Sequence, residues 1–359
     1  MKQRIAYWDI ARGLAVLLVI FYHVPLYIAI AHPDAAGLVA GHIHAGTAFR
    51  PFFMPVFFII SGYFTHTEKA YYHFLWSDIK HLLLAGLALT FLSYLIQAVA
   101  LNSYQVLGDF FKGLFSPRFL DLLFLNWFIS ALFFARQIYY WIDRLALFAS
   151  HNRRWLYWGI EGVCLILIAM AGILVEPHAP HNAEWYYIQG LVFAVFLAFG
   201  KLLRTFPVPP LWLLGAGMVY VLLMIMAQQF GISTWEYGMI NTTFTLSHWP
   251  FYMLLALTGS ALLLGIAAYI TFPPLEFLGR HSLIFYVPQG GILYGIAVLL
   301  GRWFLPDTPA RIWLYLLIMW VLVLIILSAL GAAKDFCYNI GCAFLHKKCK
   351  LSNNKSSWQ

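Results

Sequence analysis

Asp9, Arg12 and His23, near the start of the chain, have side chains whose types and spacing could do chemistry in an apolar medium. Arg12 and His23 stand eleven positions apart. At about 100° per residue a helix makes roughly three full turns over that interval, so both side chains project from one face. Asp9 precedes Arg12 by three positions and falls on nearly the same face, where its carboxylate can pair with the guanidinium. A rise of about 1.5 Å per residue puts His23 roughly 16 Å beyond Arg12 along the axis. A neutral imidazole at that depth can take a proton, and a guanidinium at the other end of the stripe can hold a phosphate in a planar fork. Taken singly, each has a plainer explanation: Arg12 could snorkel to lipid headgroups, and His23 could bridge helices through a hydrogen bond. Both on one stripe with Asp9 favour a reaction centre or substrate pathway, because ionisable groups inside a membrane span are costly to keep.

The elements that must carry this stripe follow from composition. Hydrophobic residues make up 62% of the 359 positions and charged residues 10%, with a mean hydropathy of +0.78, more apolar surface than a water-soluble fold could cover. A membrane crossing takes about 20 apolar residues. Apolar blocks run over 8–28, 52–64, 82–101, 119–141, 155–175, 185–203, 210–230, 249–272, 282–301 and 312–333, which predicts an all-α polytopic bundle of about ten spans. The second block is short and carries Pro55 and Gly62, so it must borrow flanking residues or be broken inside the bundle.

Basic residues near span ends mark the cytoplasmic side. With the N-terminus inside, sixteen of the 22 Lys and Arg fall on inner flanks, Lys80, Arg136, Lys201, Arg204 and Arg280 among them; five fall on outer flanks, including Arg50. Both termini are therefore expected in the cytosol, with residues 1–333 as one integral membrane domain and 334–359 as a basic tail whose Lys347, Lys348 and Lys350 favour anionic lipid headgroups. A cleaved secretory signal at the N-terminus is the rival reading, since Lys2 and Arg4 precede an apolar run and Ala29-Ile30-Ala31 resembles a cleavage site; Asp9, Arg12 and His23 are odd residues for such a segment. The net charge of +8 is scattered between apolar blocks and forms no basic face threaded with aromatics, which argues against nucleic acid as a partner. Three of the four cysteines lie in the Lys-rich tail, a pattern unlike a disulfide framework.

Asp9-x-x-Arg12-Gly13, followed after ten residues by His23, resembles the first motif of the acyltransferase family 3 membrane proteins. Met54-Pro55-Val56-Phe57-Phe58-Ile59-Ile60-Ser61-Gly62-Tyr63-Phe64 is similar to that family's second-helix motif, an aromatic run closing on Ser-Gly-Tyr or Ser-Gly-Phe. Asn126-Trp127-Phe128 resembles its Leu-Trp-Phe element, and the stretch from Gly279 to Tyr286 resembles a late motif of the form Ser-Leu-x-x-Tyr followed closely by His. Two departures stand out. Gln289 replaces the late histidine, and an amide cannot exchange a proton near neutral pH. The basic cluster before the third helix is reduced to Lys69, Lys80 and the neighbouring His81.

The resemblance implies an enzyme of the bacterial cytoplasmic membrane that moves an acyl group, usually acetyl from acetyl-coenzyme A, to a hydroxyl of a surface saccharide, its lipid-linked precursor or a related small molecule. A thioester is already activated, so the protein has to bring the hydroxyl to it, remove the proton and stabilise the tetrahedral oxyanion. On that basis His23 is the candidate base, Arg12 holds donor phosphate and Asp9 orients Arg12; a transient acyl-histidine is an alternative route. Lys80 and Arg280 are further candidate donor contacts, and no metal is expected. The rival class is a transporter or flippase of lipid-linked sugar, for which buried Arg and His would line a substrate pathway.

Other constellations are weaker. His42-x-His44 and His178-x-x-His181 lack the carboxylate or thiol partners of a zinc pattern, and Cys342, His346 and Cys349 in the tail are poorly spaced for one. Trp235, Glu236, Tyr237, Asn241, His248 and Trp249 before the eighth block could form an acceptor site, although interfacial anchoring is the usual role of such aromatics. Glu161 and Glu236 are the fallback bases.

Overall fold

The structure is a computed structural model describing residues 6–114, 127–151, 153–175, 186–229 and 249–355, with side chains described to residue 337 and at 339. Among the described residues there are helices and no strands.

The first apolar block forms α1, Ala6–Ala31, a helix that continues through Pro25. A proline within a span is tolerable where neighbouring helices satisfy the freed carbonyl. A 3-10 turn over Pro33–Ala35 reverses the chain into α2, Ala36–Thr47, which runs back along α1. The backbone then breaks and resumes as α3, Arg50–Phe53, and α4, Pro55–Phe64. The two halves, 33–47 and 50–64, are bent by 53° to each other. The short second block thus borrows flanking residues, and the bend lies upstream of the block, at residues 48–49. The break falls before Arg50; Gly62 has a different job. A Cβ on Gly62 would strike the backbone of Leu197, and one on Gly200 would strike the backbone of Ile59 and Tyr63, so the two glycines let α4 and α10 approach backbone to backbone.

Next come α5, Tyr71–Asp78, a π-helical stretch over Ile79–Leu84, and α6, Ala85–Leu101, which together make one long span. A short α7, Gln105–Leu114, packs back on α6. The middle of the chain supplies α8, Trp127–Ser150; α9, Arg154–Val175; α10, Tyr187–Thr205; and α11, Pro210–Gln229. The last part supplies α12, Trp249–Ala267; α13, Pro273–Arg280; α14, Ser282–Tyr286; α15, Gln289–Gly301; and the long α16, Pro309–Lys355. Among the described residues eight helices or continuous helix runs are long and apolar enough to cross a membrane, and there are up to nine if the bent pair counts as one span. The expected block 119–141 overlaps α8, which carries Arg136, Asp143 and Arg144 and is not among those helices; residues 119–126 of the block lie outside the described residues.

The core is built around α1. One of its faces, with Trp8, Ala11, Ala15, Val19 and Tyr22, packs into an apolar cluster with α3, α4, α8, α10 and α12. The other, with Val16, Ile20, Val24, Tyr27 and Ile28, packs into a cluster with α15 and α16. α13 crosses the start of α1 so closely that a Cβ on Gly279 would strike the backbone of Asp9. The first helix, with its stripe of ionisable residues, is therefore enclosed from both sides.

Candidate functional site

At the start of α1, Asp9 is buried and Arg12 Nη1 donates to its Oδ1 at 3.1 Å. The guanidinium also lies over the ring of Phe64 at the end of α4, 5.2 Å from its centroid. Asp9 thus orients Arg12, and the aromatic ring supports it with a cation–π contact.

Arg12 opens onto a cavity of about 330 Å³. Its polar lining is Arg12, Ser61, His81, Arg136, Ser282 and Tyr286, and no Asp or Glu lines it. Phe57, Phe64, Leu82, Phe128, Ile129, Leu132 and Leu283 complete the wall. Each motif segment contributes: Arg12 from the first, Phe57, Ser61 and Phe64 from the second, Phe128 from the third, and Ser282, Leu283 and Tyr286 from the late one. Segments from residue 12 to residue 286 meet at one cavity, and Phe128 is the hinge of the wall, packing on Phe57 at 5.6 Å and on Tyr286 at 5.4 Å. Asn126 lies outside the described residues.

Arg136 is a site residue that sequence reasoning counted only as inner-flank charge. Its Nε donates to Asp78 at 2.9 Å, and its Nη1 donates to Ser61 Oγ at 3.0 Å and Thr65 Oγ1 at 2.7 Å. Because Ser61 Oγ accepts from Arg136, the Ser61 hydroxyl proton is left to donate elsewhere. Arg204 Nη1 donates to the carbonyls of Tyr63 at 3.0 Å and Thr65 at 2.8 Å, capping the end of α4. Two arginines therefore fix the end of the second motif against the cavity. Asp9 and Asp78 are spent on Arg12 and Arg136, which leaves the lining basic and rich in donors.

The other expected donor contacts fall outside this lining. Lys80 is exposed on the π-helical stretch, where its neighbour His81 reaches the cavity instead. Arg280 is exposed at the end of α13. The next residue, His281, is buried and ties α13 to α16 through Phe277 O at 3.0 Å and Asp335 Oδ1 at 2.9 Å.

His23 lies deeper, half-buried on α1. Its Nδ1 donates to Val19 O at 2.8 Å, since a carbonyl oxygen only accepts. That bond fixes the tautomer and leaves Nε2 with the lone pair a base needs. The imidazole is flanked by Tyr22, with ring centroids 5.2 Å apart, and by Tyr27 one turn on at 6.2 Å. Gly290 allows the Tyr27 hydroxyl to lie against the start of α15. Gln289 beside it is buried, and its Oε1 has no hydrogen-bond partner.

A second polar cluster sits between α8, α9 and α10. Lys201 Nζ donates to Asp143 and to the Tyr157 hydroxyl, Tyr157 donates to Glu161 at 2.6 Å, Tyr139 donates to Glu161 at 3.1 Å, and Thr67 donates to Asp143. Glu161, the fallback base, is occupied there and does not line the cavity. Asp143 is seven residues after Arg136, two turns along one face of α8, a spacing visible in the sequence.

Among the described residues no group of three or more His, Cys, Asp or Glu could hold a metal ion. His42 packs on Trp313 at 4.6 Å. His178, His181, Trp235, Glu236, Tyr237, Asn241 and His248 lie outside the described residues, as do the side chains of Cys342, His346 and Cys349.

A bundle that is helical throughout the described residues, with residues of four motif segments lining one cavity, defines the class: a polytopic membrane protein with a candidate site between its helices. Residues 5–332 match the family model described as "Acyltransferase domain", and the chain belongs to this acyltransferase family. No curated protein and no solved structure matches the chain.

Proposed function

We propose that this acyltransferase moves an acetyl group from acetyl-coenzyme A to a hydroxyl of a cell-surface saccharide or its lipid-linked precursor, in the bacterial inner membrane. The observation that carries the reading is the cavity lined by Arg12, His81, Arg136, Ser61 and Ser282 without a carboxylate. Such a lining suits phosphate and pyrophosphate, which accept from arginine forks and hydroxyls.

With the pyrophosphate at Arg12, the thioester has to reach His23, which lies roughly 16 Å deeper and does not line the cavity, so the helices packed on α1 would have to part to admit the pantetheine arm. His23 Nε2 takes the proton of the acceptor hydroxyl, the oxygen attacks the thioester carbonyl, and the thiol of coenzyme A leaves with the returned proton. Asp9 acts through Arg12, holding its fork toward the donor. Lys80 and Arg280, both exposed, would meet the donor outside the cavity.

The proposed topology has ten spans, α8 being the tenth, with both termini cytosolic. Residues 1–333 form the membrane domain, and 334–359 form a basic tail on the inner leaflet. This arrangement puts the Arg12 end of the bundle where coenzyme A is found. The reading is tested by supplying labelled acetyl-coenzyme A to membranes containing the protein. Label on a saccharide supports it; movement of a whole lipid-linked saccharide across the membrane, with no acyl mass added, supports a transporter instead.

A further inference from the structure

The break in the second span does more than bend it. Its backbone is built to stay broken: the carbonyl of Ala48, freed by the interruption, accepts a hydrogen bond from the Tyr220 hydroxyl on α11, and the Thr47 hydroxyl donates to His44 O at 2.6 Å. Phe52 then packs edge-on against Tyr220, with ring centroids 5.1 Å apart. Irregular backbone at membrane depth is tolerated only where it is buried in protein or lines a cavity. Here the interruption delivers Arg50, the first residue of α3, into the bundle. Its guanidinium carbon stands 5.3 Å from the centroid of the Tyr22 ring, and Tyr22 directly precedes His23. The charge of Arg50 is also felt at His23 and at the Tyr252 hydroxyl on α12. From the sequence Arg50 counts only as an outer-flank charge; in the fold it reaches the depth of the candidate base. Ionisable side chains inside a membrane bundle are costly and usually mark a substrate pathway or a reaction centre.

We infer that Arg50 is a catalytic residue whose guanidinium stabilises the oxyanion formed on the thioester carbonyl during acyl transfer. The inference rests on the proposed reaction and on His23 as its base. In the first half of the step, the acceptor hydroxyl gives its proton to His23 Nε2, its oxygen bonds to the carbonyl carbon, and the C=O π pair moves onto the carbonyl oxygen facing Arg50. In the second half, that pair re-forms the C=O bond, the C–S bond breaks, and the sulfur of coenzyme A takes the proton back from His23. No oxidant, reductant or further reactant is needed. A half-buried guanidinium held over an aromatic ring needs less reorganisation as charge develops than one free in water, the condition under which such stabilisation grows. Arg12 and Arg50 thereby divide the work along α1: one cation for the donor's phosphates, one for the reacting carbonyl.

The test uses the purified full-length chain with labelled acetyl-coenzyme A and membrane glycan extract, following free thiol release and label on the glycan. Arg50→Gln keeps polarity and approximate length but removes the charge; kcat should fall about 10²–10³-fold with KM for acetyl-coenzyme A unchanged. Arg50→Ala should regain part of its turnover when guanidinium ion is added, a rescue that a structural arginine would not show. Wild-type kcat in Arg50→Gln, or a loss carried wholly by KM, overturns the inference. If Arg50→Gln fails to insert, Arg50→Lys reads the same step, and full kcat in that variant also overturns it, because a point charge cannot present the planar fork. His23→Gln run in parallel separates the two claims. Loss in His23→Gln with normal Arg50→Gln refutes Arg50 alone, whereas normal His23→Gln with impaired Arg50→Gln refutes the base and leaves Arg50 standing.

Discussion

Arg12 is the residue whose surroundings say most about its work. A guanidinium that only snorkelled would point to headgroups; this one is held by buried Asp9 at 3.1 Å and by the ring of Phe64, facing a cavity. Such a fork is matched to phosphate in a way a lysine is not. Arg12→Lys is therefore expected to raise KM for acetyl-coenzyme A by about tenfold, a loss of roughly 1.4 kcal/mol in donor binding, with a smaller change in kcat. Kinetics in detergent on protein shown to be correctly inserted check this, and an unchanged KM in Arg12→Ala would remove the phosphate role. The stripe of Asp9, Arg12 and His23 was legible in the sequence because a helix repeats at a fixed angle, so residues on one helix declare their shared face by spacing alone. Arg136 and Arg50 were not. Their roles depend on partners such as Asp78, Ser61 and Tyr22 on other helices, and a positive-inside count treats every such arginine as boundary charge.

At the scale of elements, α4 is the part most tightly specified. Gly62 and Gly200 bring it backbone to backbone with α10, Arg204 caps its carbonyls, and Arg136 fixes Ser61 and Thr65. The polar cluster around Lys201 secures α8, α9 and α10 behind it. Lys201 is the cation between two buried carboxylates, and a buried ion pair that loses one partner leaves an uncompensated charge. Lys201→Met should lower stability by about 3 kcal/mol while leaving KM for acetyl-coenzyme A unchanged in the folded fraction, since Lys201 does not line the cavity. Thermal unfolding in detergent reads the first outcome, and an unchanged midpoint would show that the cluster does not hold the helices together. The apolar blocks gave nearly all of these helices, because hydropathy over about 20 residues is a local property. Pro55 and Gly62 flagged the second block as irregular, but the position of its break, before Arg50, depends on Tyr220 of α11 satisfying Ala48 and could not be read along the chain. The π-helical stretch at Ile79–Leu84, which carries His81 to the cavity, likewise leaves no mark in the hydropathy pattern.

For the whole molecule, the proposed function implies a direction: donor would enter at the Arg12 end of the bundle, chemistry would occur at the depth of His23 and Arg50, and the basic tail would lie on the donor's side. Phosphatase fused after Gln359 should be inactive and a cytosolic reporter fused there active, as the sixteen-to-five bias of basic residues requires. An active phosphatase at that point would reverse the bundle and put the Arg12 cavity on the side without coenzyme A. The central claim is that this bundle is an acyltransferase whose base is His23, and it is tested most directly by transfer of labelled acetyl from acetyl-coenzyme A to membrane saccharide by wild-type protein and by His23→Gln. Glutamine keeps a hydrogen-bonding group of similar length but cannot accept a full proton near pH 7. The account predicts label on the saccharide with wild type and a fall of about 10²–10⁴ in kcat for His23→Gln at normal abundance and insertion; transfer by His23→Gln at the wild-type rate would contradict it.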